Sequence, residues 1–191
     1  MTDRYFENFE KNDLRETQVS SENVFDGVLL HVKKDSVKLP NGNLATREYI
    51  RHPGAVCIVP ITDDNEVIVE RQYRYPMDEV LTEIPAGKLD GKGEDPEDAA
   101  RRELLEETGA SAAELIYMGK MYSACAYTDE AIHMYLAKGL TFGERKLDED
   151  EFLNVEAIPL TDLVADVMAG KIPDVKTQAA ILRAYLMEKG L

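Results

Sequence analysis

Between Glu94 and Ala110 the chain reads EDPEDAARRELLEETGA, and the stretch carries signals for one helix with an unusual face. Asp95 suits the N-cap, and Pro96 suits the first turn, where no backbone N–H is needed. Glu97 and Asp98 favour the positive end of the helix dipole, and Gly109 is placed to end the helix. Glu103 and Glu107 are four residues apart and share a face; Glu106 lies at its edge. Like charges at this spacing destabilise a helix by roughly 0.2–0.5 kcal/mol per pair, so something should offset them. Hard divalent cations prefer carboxylate and carbonyl oxygens and keep several waters. A carboxylate cluster facing a diphosphate would therefore hold Mg²⁺ against the phosphate oxygens. By itself, ELLEE reads more readily as a solvated surface helix, with Arg102 and Glu106 an ordinary ion pair. The rest of the segment has to decide.

The chain's net charge is −15. Such a surface repels phosphate backbones and disfavours long nucleic acids as partners. It admits a small anionic substrate when cations stand between the two. With 191 residues, 44% of them apolar, the chain suits one compact domain with a small appendage. The apolar stretch Gly54–Ile61 is too short to span a bilayer. The opening MTDRYFENFEKND reads as neither a secretory signal nor a transit peptide. Cys57 and Cys125 read as two reduced thiols, not as a disulfide framework or zinc site. A cytoplasmic protein with no membrane partner is the expectation.

Residues 1 to about 20 are polar and aperiodic and read as a loose or partly helical arm. From Val24 to His52 the pattern is extended, with an Asn41-Gly42 turn between two runs. Gly54–Ile61 reads as a buried strand. EVIVERQYR follows as another, with Val67 and Val69 facing opposite to Ile68 and Glu70. TEIPAG reads as a strand that ends at a bend. After the helix come strands at LIYMGKMY, AIHMYLA and FLNVEAI, then helices over Thr161–Ala169 and roughly Val175–Lys189. Leu182, Tyr185 and Leu186 give the last helix an apolar stripe. This order implies α+β layers, with an N-terminal arm and antiparallel strands over 1–52 and the main domain over 53–191.

The segment Gly87–Ala110, GKLDGKGEDPEDAARRELLEETGA, resembles the Nudix box: G, five residues, E, seven residues, R-E, an aliphatic, any residue, E-E, any residue, G, an aliphatic. Glu94, Arg102, Glu103, Leu104, Glu106, Glu107 and Gly109 match in type and spacing, and Ala110 is a small stand-in for the last aliphatic. Six residues, not five, separate Gly87 from Glu94; the extra one falls in the loop Asp90–Gly93, where glycines can absorb it. The resemblance implies an α/β/α sandwich around a mixed sheet. It implies metal ligands at Glu103, Glu106, Glu107 and the carbonyl of Ala86, with Arg102 orienting the glutamates. Glu94 would brace the loop and is a further candidate ligand. The implied metal is Mg²⁺, with Mn²⁺ as the alternative.

Beyond the box, LPNGNLATREYIRHPGAV, VERQYR, EIPAGKLD and LDEDEFLNVEAI resemble the bacterial ADP-ribose pyrophosphatases over roughly residues 18 to 185. That likeness implies hydrolysis of ADP-ribose to AMP and ribose 5-phosphate, by a homodimer whose Val24–His52 strands cross to the partner. It implies a general base in the acidic loop Leu147–Asn154, with Glu151 first and Glu149 in reserve; a solvated acidic loop is the alternative. Glu151, Glu103, Glu107 and Arg102 thus form the expected catalytic set. Arg74 matches a substrate-contacting position, where a fixed guanidinium can bind phosphate, unless it is a surface arginine paired to an acidic neighbour; Arg71 is a weaker candidate. Glu83, beside the bend, is expected near metal or water. Tyr127 and Tyr73 would stack on an adenine or else serve core or rim. His31, His52 and His133 read as structural. The region YSACAYTDE departs from the branch, with Ala124 and Cys125 where proline and glycine are expected. Another nucleotide sugar, such as GDP-mannose, is therefore the alternative substrate. A binding domain without turnover is a further alternative, against which the intact glutamate set argues.

Overall fold

The computed structural model describes residues 14–91, 93–147 and 152–191. The chain divides into two units. One takes in the chain up to His52 together with Ala124–Asp129; the other comprises Pro53–Ser123 and Glu130–Leu191.

In the first unit, strands β1 (Thr17–Asp26), β2 (His31–Lys38) and β3 (Leu44–Arg51) form an antiparallel sheet in that order. The Asn41-Gly42 turn joins β2 to β3 as expected. Gly42, at φ +88°, donates its N–H to Leu39 O at 2.9 Å, and Asn41 Oδ1 accepts from Asn43 N at 3.0 Å. Residues 17 to 20, expected in a loose arm, belong to β1. All ten of its residues are exposed, so no buried face left an alternating pattern to read. Its order comes from the ladder with β2. Asp129 ties the short segment Ala124–Asp129 to the end of β3: its carboxylate accepts from Arg51 Nη1 at 2.6 Å and from His52 N at 2.8 Å.

The second unit runs β4 (Ala55–Pro60), β5 (Glu66–Arg74), β6 (Glu79–Glu83), β7 (Ala86–Lys88), α1 (Pro96–Thr108), β8 (Ala110–Tyr122), β9 (Ala131–Phe142), β10 (Leu153–Pro159), α2 (Leu160–Met168) and α3 (Val175–Glu188). One sheet has the order β7-β4-β9-β8, and β4 and β9 run parallel while the other pairs are antiparallel. A second sheet, β10-β5-β6, is antiparallel. Successive side chains of a strand point to opposite faces. Ala55, Cys57 and Val59 accordingly pack with Leu160 and Leu163 of α2 and Ile181 of α3, whereas Val56 and Ile58 pack with Ala99, Ala100 and Leu104 of α1. A strand covered on both faces reads as an unbroken apolar run, and that is what GAVCIVPI is. The result is the expected α/β/α sandwich around a mixed sheet.

Two details differ from the sequence reading. Val67, Ile68, Val69 and Glu70 are all buried, so alternation along β5 does not separate inside from outside. The buried side of α3 is Thr177, Ala180, Ile181 and Ala184; Leu182 and Tyr185 are only partly buried and Leu186 is exposed. Ala180, Ala184 and Ile181 lie in the core of the contact, and Leu182 and Tyr185 flank it.

Candidate active site

The glutamate helix is fixed at both ends by its own sequence. Asp95 accepts a hydrogen bond from Glu97 N at 2.8 Å, and Gly109, at φ +72°, donates to Leu105 O at 2.9 Å. Ala99, Ala100 and Leu104 anchor the apolar side of α1, and that anchoring fixes where Glu103, Glu106 and Glu107 project. Glu103 is turned onto β7. Its carboxylate lies so close to Gly87 that a Cβ there would stand 2.0 Å from Glu103 Cδ. Glycine is required at 87 for this approach, although its φ is ordinary.

Arg102 gathers the acidic groups. Nη1 donates to Glu103 Oε1 at 2.7 Å and to Glu106 Oε2 at 3.1 Å. Nε and Nη2 reach Glu94 Oε1 at 3.3 Å each, and Nη2 also reaches Lys88 O at 3.3 Å. Glu94 is braced in turn by Asp90 N at 2.5 Å. Burial works against the Arg102 charge, but the hydrogen bonds it donates to Glu94 and Glu103 outweigh that and raise its pKa. The Asp90 N–H, followed by Arg102, holds the Glu94 carboxyl below the usual carboxylate range.

The bend between β6 and β7 is held by three different elements, one residue each. Ile84 N donates to Thr177 Oγ1 of α3 at 3.0 Å. Pro85 O accepts from Ile58 N of β4 at 2.9 Å. Ala86 N donates to Glu107 Oε2 of α1 at 2.9 Å, and Glu107 is only 4% exposed.

Just before the bend, Glu83 is buried and bound by two cations. Arg74 clasps it with Nε on Oε1 at 2.7 Å and Nη2 on Oε2 at 2.8 Å, and Lys176 Nζ donates to the same Oε2. Burial alone would raise the Glu83 carboxyl, but hydrogen bonding to Arg74 and the Lys176 charge hold it below the ordinary range. Arg74 is raised, first by its hydrogen bonds to Glu83; the charge of Glu107 also contributes, which puts Arg74 within the field of the glutamate helix.

The structure thus brings Glu94, Arg102, Glu103 and Glu106 into one cluster, links Ala86 to Glu107, and joins Arg74 to Glu83. Arg71 is engaged elsewhere, with Nε on Glu156 Oε1 of β10 at 2.5 Å. Tyr127 is exposed in the first unit, its backbone bound to Ile50 and Ala124. Glu149 and Glu151 lie outside the described residues. Lys176, Asp174 and Thr177 were not singled out from the sequence. One signal was there: a lysine in the first turn of a helix opposes the dipole and calls for an anionic partner.

Among the described residues, no three carboxylate, imidazole or thiolate groups converge as a ready metal cage. Mg²⁺ does not demand one; it is usually bound through one or two carboxylates, waters and substrate phosphates. Glu103 and Glu106 already share one cationic nitrogen of Arg102, and every candidate donor is a hard oxygen. These residues fit a hard divalent cation.

Comparison with known proteins extends over nearly the whole chain. A family model described as NUDIX domain matches residues 51–182, and one described as nucleoside diphosphate sugar hydrolase N-terminal domain matches residues 16–50. The chain is 40% identical over 177 residues to the ADP-ribose pyrophosphatase of Bacillus subtilis, covering 92% of this chain and 95% of that one. It is 39% identical over 175 residues to the methanol dehydrogenase activator of Bacillus methanolicus, covering 91% and 94%. A crystal structure of an ADP compounds hydrolase superposes with a TM-score of 0.81 at 28% identity, covering 92% of this chain and 95% of that one.

Proposed function

Since this chain belongs to the Nudix hydrolase family, we propose that it hydrolyses the diphosphate of ADP-ribose to give AMP and ribose 5-phosphate. The observation that carries this reading is the Arg102 cluster of Glu94, Glu103 and Glu106, set beside a bend that Glu107 holds at Ala86. Similarity over 92% of the chain to an ADP-ribose pyrophosphatase supports the choice of substrate.

In the reaction, a water oxygen forms a bond to one phosphorus. The bond from that phosphorus to the bridging oxygen breaks, and the bridging oxygen leaves with the other phosphate. The proton of the attacking water passes to a carboxylate, for which Glu151 is the first candidate and Glu149 the second. Glu103, Glu106, Glu107, Glu94 and the carbonyl of Ala86 would hold Mg²⁺, or Mn²⁺ in its place, and the bound ion would supply positive charge against the diphosphate and polarise the water. Arg102 draws Glu103 and Glu106 together and offsets their repulsion. Arg74 spends two of its five N–H donors on Glu83, and those that remain suit a phosphate oxygen. In a protein of net charge −15, each such cation strengthens the hold on an anionic substrate.

The reading extends to a cytoplasmic homodimer in which Val24–His52 pairs with a second copy. The exposed side chains of Phe25, Val28, Leu29 and Leu30 at the β1–β2 turn support that pairing. Among the described residues, no helix is long and apolar enough to cross a membrane.

A second reading, hydrolysis of GDP-mannose or another nucleotide sugar, draws on the segment Ala124–Thr128. There Ala124 O accepts from both Tyr127 N at 3.0 Å and Thr128 N at 3.2 Å, forming a turn without proline or glycine. Purified protein with Mg²⁺ should be offered ADP-ribose, GDP-mannose, dinucleotides and ATP, with products read by mass. AMP and ribose 5-phosphate should form fastest. Preference for GDP-mannose would replace the substrate; binding of ADP-ribose without turnover of any compound would make the chain a sensor.

A further inference from the structure

Four charges alternate from the start of α3 to the end of β5. Asp174 Oδ2 accepts from Lys176 Nζ at 3.0 Å, Lys176 donates onward to Glu83, and Glu83 is clasped by Arg74. The two inner members are the better buried: the side chains of Glu83 and Lys176 are 4% and 11% exposed, against 41% for Arg74. Asp174 also caps α3, accepting from Thr177 N at 2.9 Å and from Thr177 Oγ1 at 2.6 Å. The same Thr177 hydroxyl oxygen accepts from Ile84 N. One helical turn therefore holds both the bend that leads to Ala86 and the carboxylate that aims Arg74.

A lysine at this place is expensive unless it has work. It lies in the first turn of α3, where the helix dipole repels it, and its ammonium is nearly desolvated. Asp174 alone would satisfy it. Glu83 alone would be satisfied by the two parallel hydrogen bonds from Arg74. The second cation on Oε2 changes the balance at Arg74, because a carboxylate shared with Lys176 neutralises the guanidinium less completely. More of the Arg74 charge then remains for an anion. Lys176 also fixes where the Glu83 carboxylate sits, and hence which way the guanidinium plane faces.

We propose that Lys176 is a positioning residue for substrate binding, acting through Glu83 to orient Arg74 and preserve its charge for the diphosphate. This inference rests on the reading of the site given above. Lys176 touches neither substrate nor the reacting atoms in this scheme.

The test compares Lys176→Met, Lys176→Arg, Glu83→Gln and the double variant Glu83→Gln/Lys176→Met with the wild type. KM and kcat for ADP-ribose are measured with Mg²⁺. Binding of ADP-ribose is measured by calorimetry in EDTA, where no turnover occurs, and melting temperatures are recorded alongside. Lys176→Met should raise KM and weaken calorimetric binding by about tenfold or more, the scale of a lost charge-assisted hydrogen bond, with a smaller change in kcat. Lys176→Arg should recover most of the binding. In the Glu83→Gln background, Lys176→Met should add little further loss, because the lysine acts through that carboxylate. The double variant also keeps the test alive if Lys176→Met alone fails to fold, since it removes the buried charge together with its partner. It should then show weakened binding equal to that of Glu83→Gln. Wild-type binding in Lys176→Met, a loss of kcat and melting temperature with KM unchanged, or additive losses in the double variant would each overturn the proposal. If the wild type binds and cleaves ADP-ribose while Lys176→Met matches it, this inference alone fails. A wild type that neither binds nor cleaves ADP-ribose overturns both this inference and the substrate reading.

Discussion

The carboxylate of Glu103 occupies the space a side chain at Gly87 would take: a Cβ built there meets Glu103 Cδ and Oε1 at 2.0 Å each. Separation in sequence hides this relation, but it locks the first glycine of the box to the glutamate helix. Gly87→Ala should leave the backbone of β7 unstrained, since its φ is not positive, and should push the carboxylate away. A misplacement of about 1 Å can cost on the order of 10²-fold in rate. Turnover of ADP-ribose should fall at least that far while the melting temperature changes little. A Gly87→Ala variant with wild-type turnover would show that the Glu103 position is not critical.

Glu103→Gln and Glu107→Gln probe the same helix from the side of charge. Gln keeps the shape, and at 107 it keeps an oxygen that can accept from Ala86 N. Removing one of two like charges at i,i+4 relieves roughly 0.2–0.5 kcal/mol of repulsion, which at 103 is set against the weakened bond from Arg102, so melting should change little. Mg²⁺-dependent turnover should drop by orders of magnitude. Near-normal rates in both variants would falsify the proposed ligand set.

How much of this was legible depends on whether the signal was local. Asp95, Pro96 and Gly109 are cap and turn residues that act within a few positions of themselves, and α1 falls where they said it would. Asn41-Gly42 did the same for the β2–β3 turn. β1 was hidden because TQVSSENVFD buries no face and owes its order to β2. Lys176 and Glu83 lie 93 residues apart, and no local pattern joins them. The apolar side of α3 was misplaced because Thr177, Ala180, Ile181 and Ala184, not Leu182, Tyr185 and Leu186, form its buried side. Glutamate spacing was readable on one helix; which glutamate would meet Gly87, which Ala86, and which Arg102 required the fold.

The two cysteines should behave oppositely. Cys57 lies fully buried in β4, and burial pushes its thiol from 9.0 up to about 12; Cys125 is exposed. At pH 8 a thiol reagent should titrate Cys125 rapidly and Cys57 only after unfolding. Because the folded pKa lies above the unfolded one, the contribution of Cys57 to stability is fully present below about pH 9. It is lost as pH rises from there towards about 12. Cys57→Ala should therefore flatten that alkaline decline in denaturant-midpoint measurements. Two fast-reacting thiols in the native protein would contradict the burial of β4.

If the first unit pairs with a second copy, light scattering should give a dimer at micromolar concentration. Phe25→Glu with Leu29→Glu would place charge on the exposed apolar turn between β1 and β2. That variant should run as a monomer and lose most of its activity, although no residue of the glutamate cluster is altered. A monomeric wild type with full turnover would remove the dimer from the proposal.

The last expectation concerns the base. Glu151 and Glu149 stand in LDEDEFLN, immediately before the strand that pairs with β5, and lie outside the described residues. A general base typically contributes about 10²–10⁴-fold to turnover. Glu151→Gln should lower kcat by about that factor and leave KM and Mg²⁺ binding nearly unchanged, because the group acts mainly in the transition state. Glu149→Gln should do much less. Both variants should melt like the wild type if these carboxylates have no core role. A crippled Glu149→Gln beside an active Glu151→Gln would move the base by two residues and keep the mechanism. Wild-type rates in both would take the base out of this loop altogether.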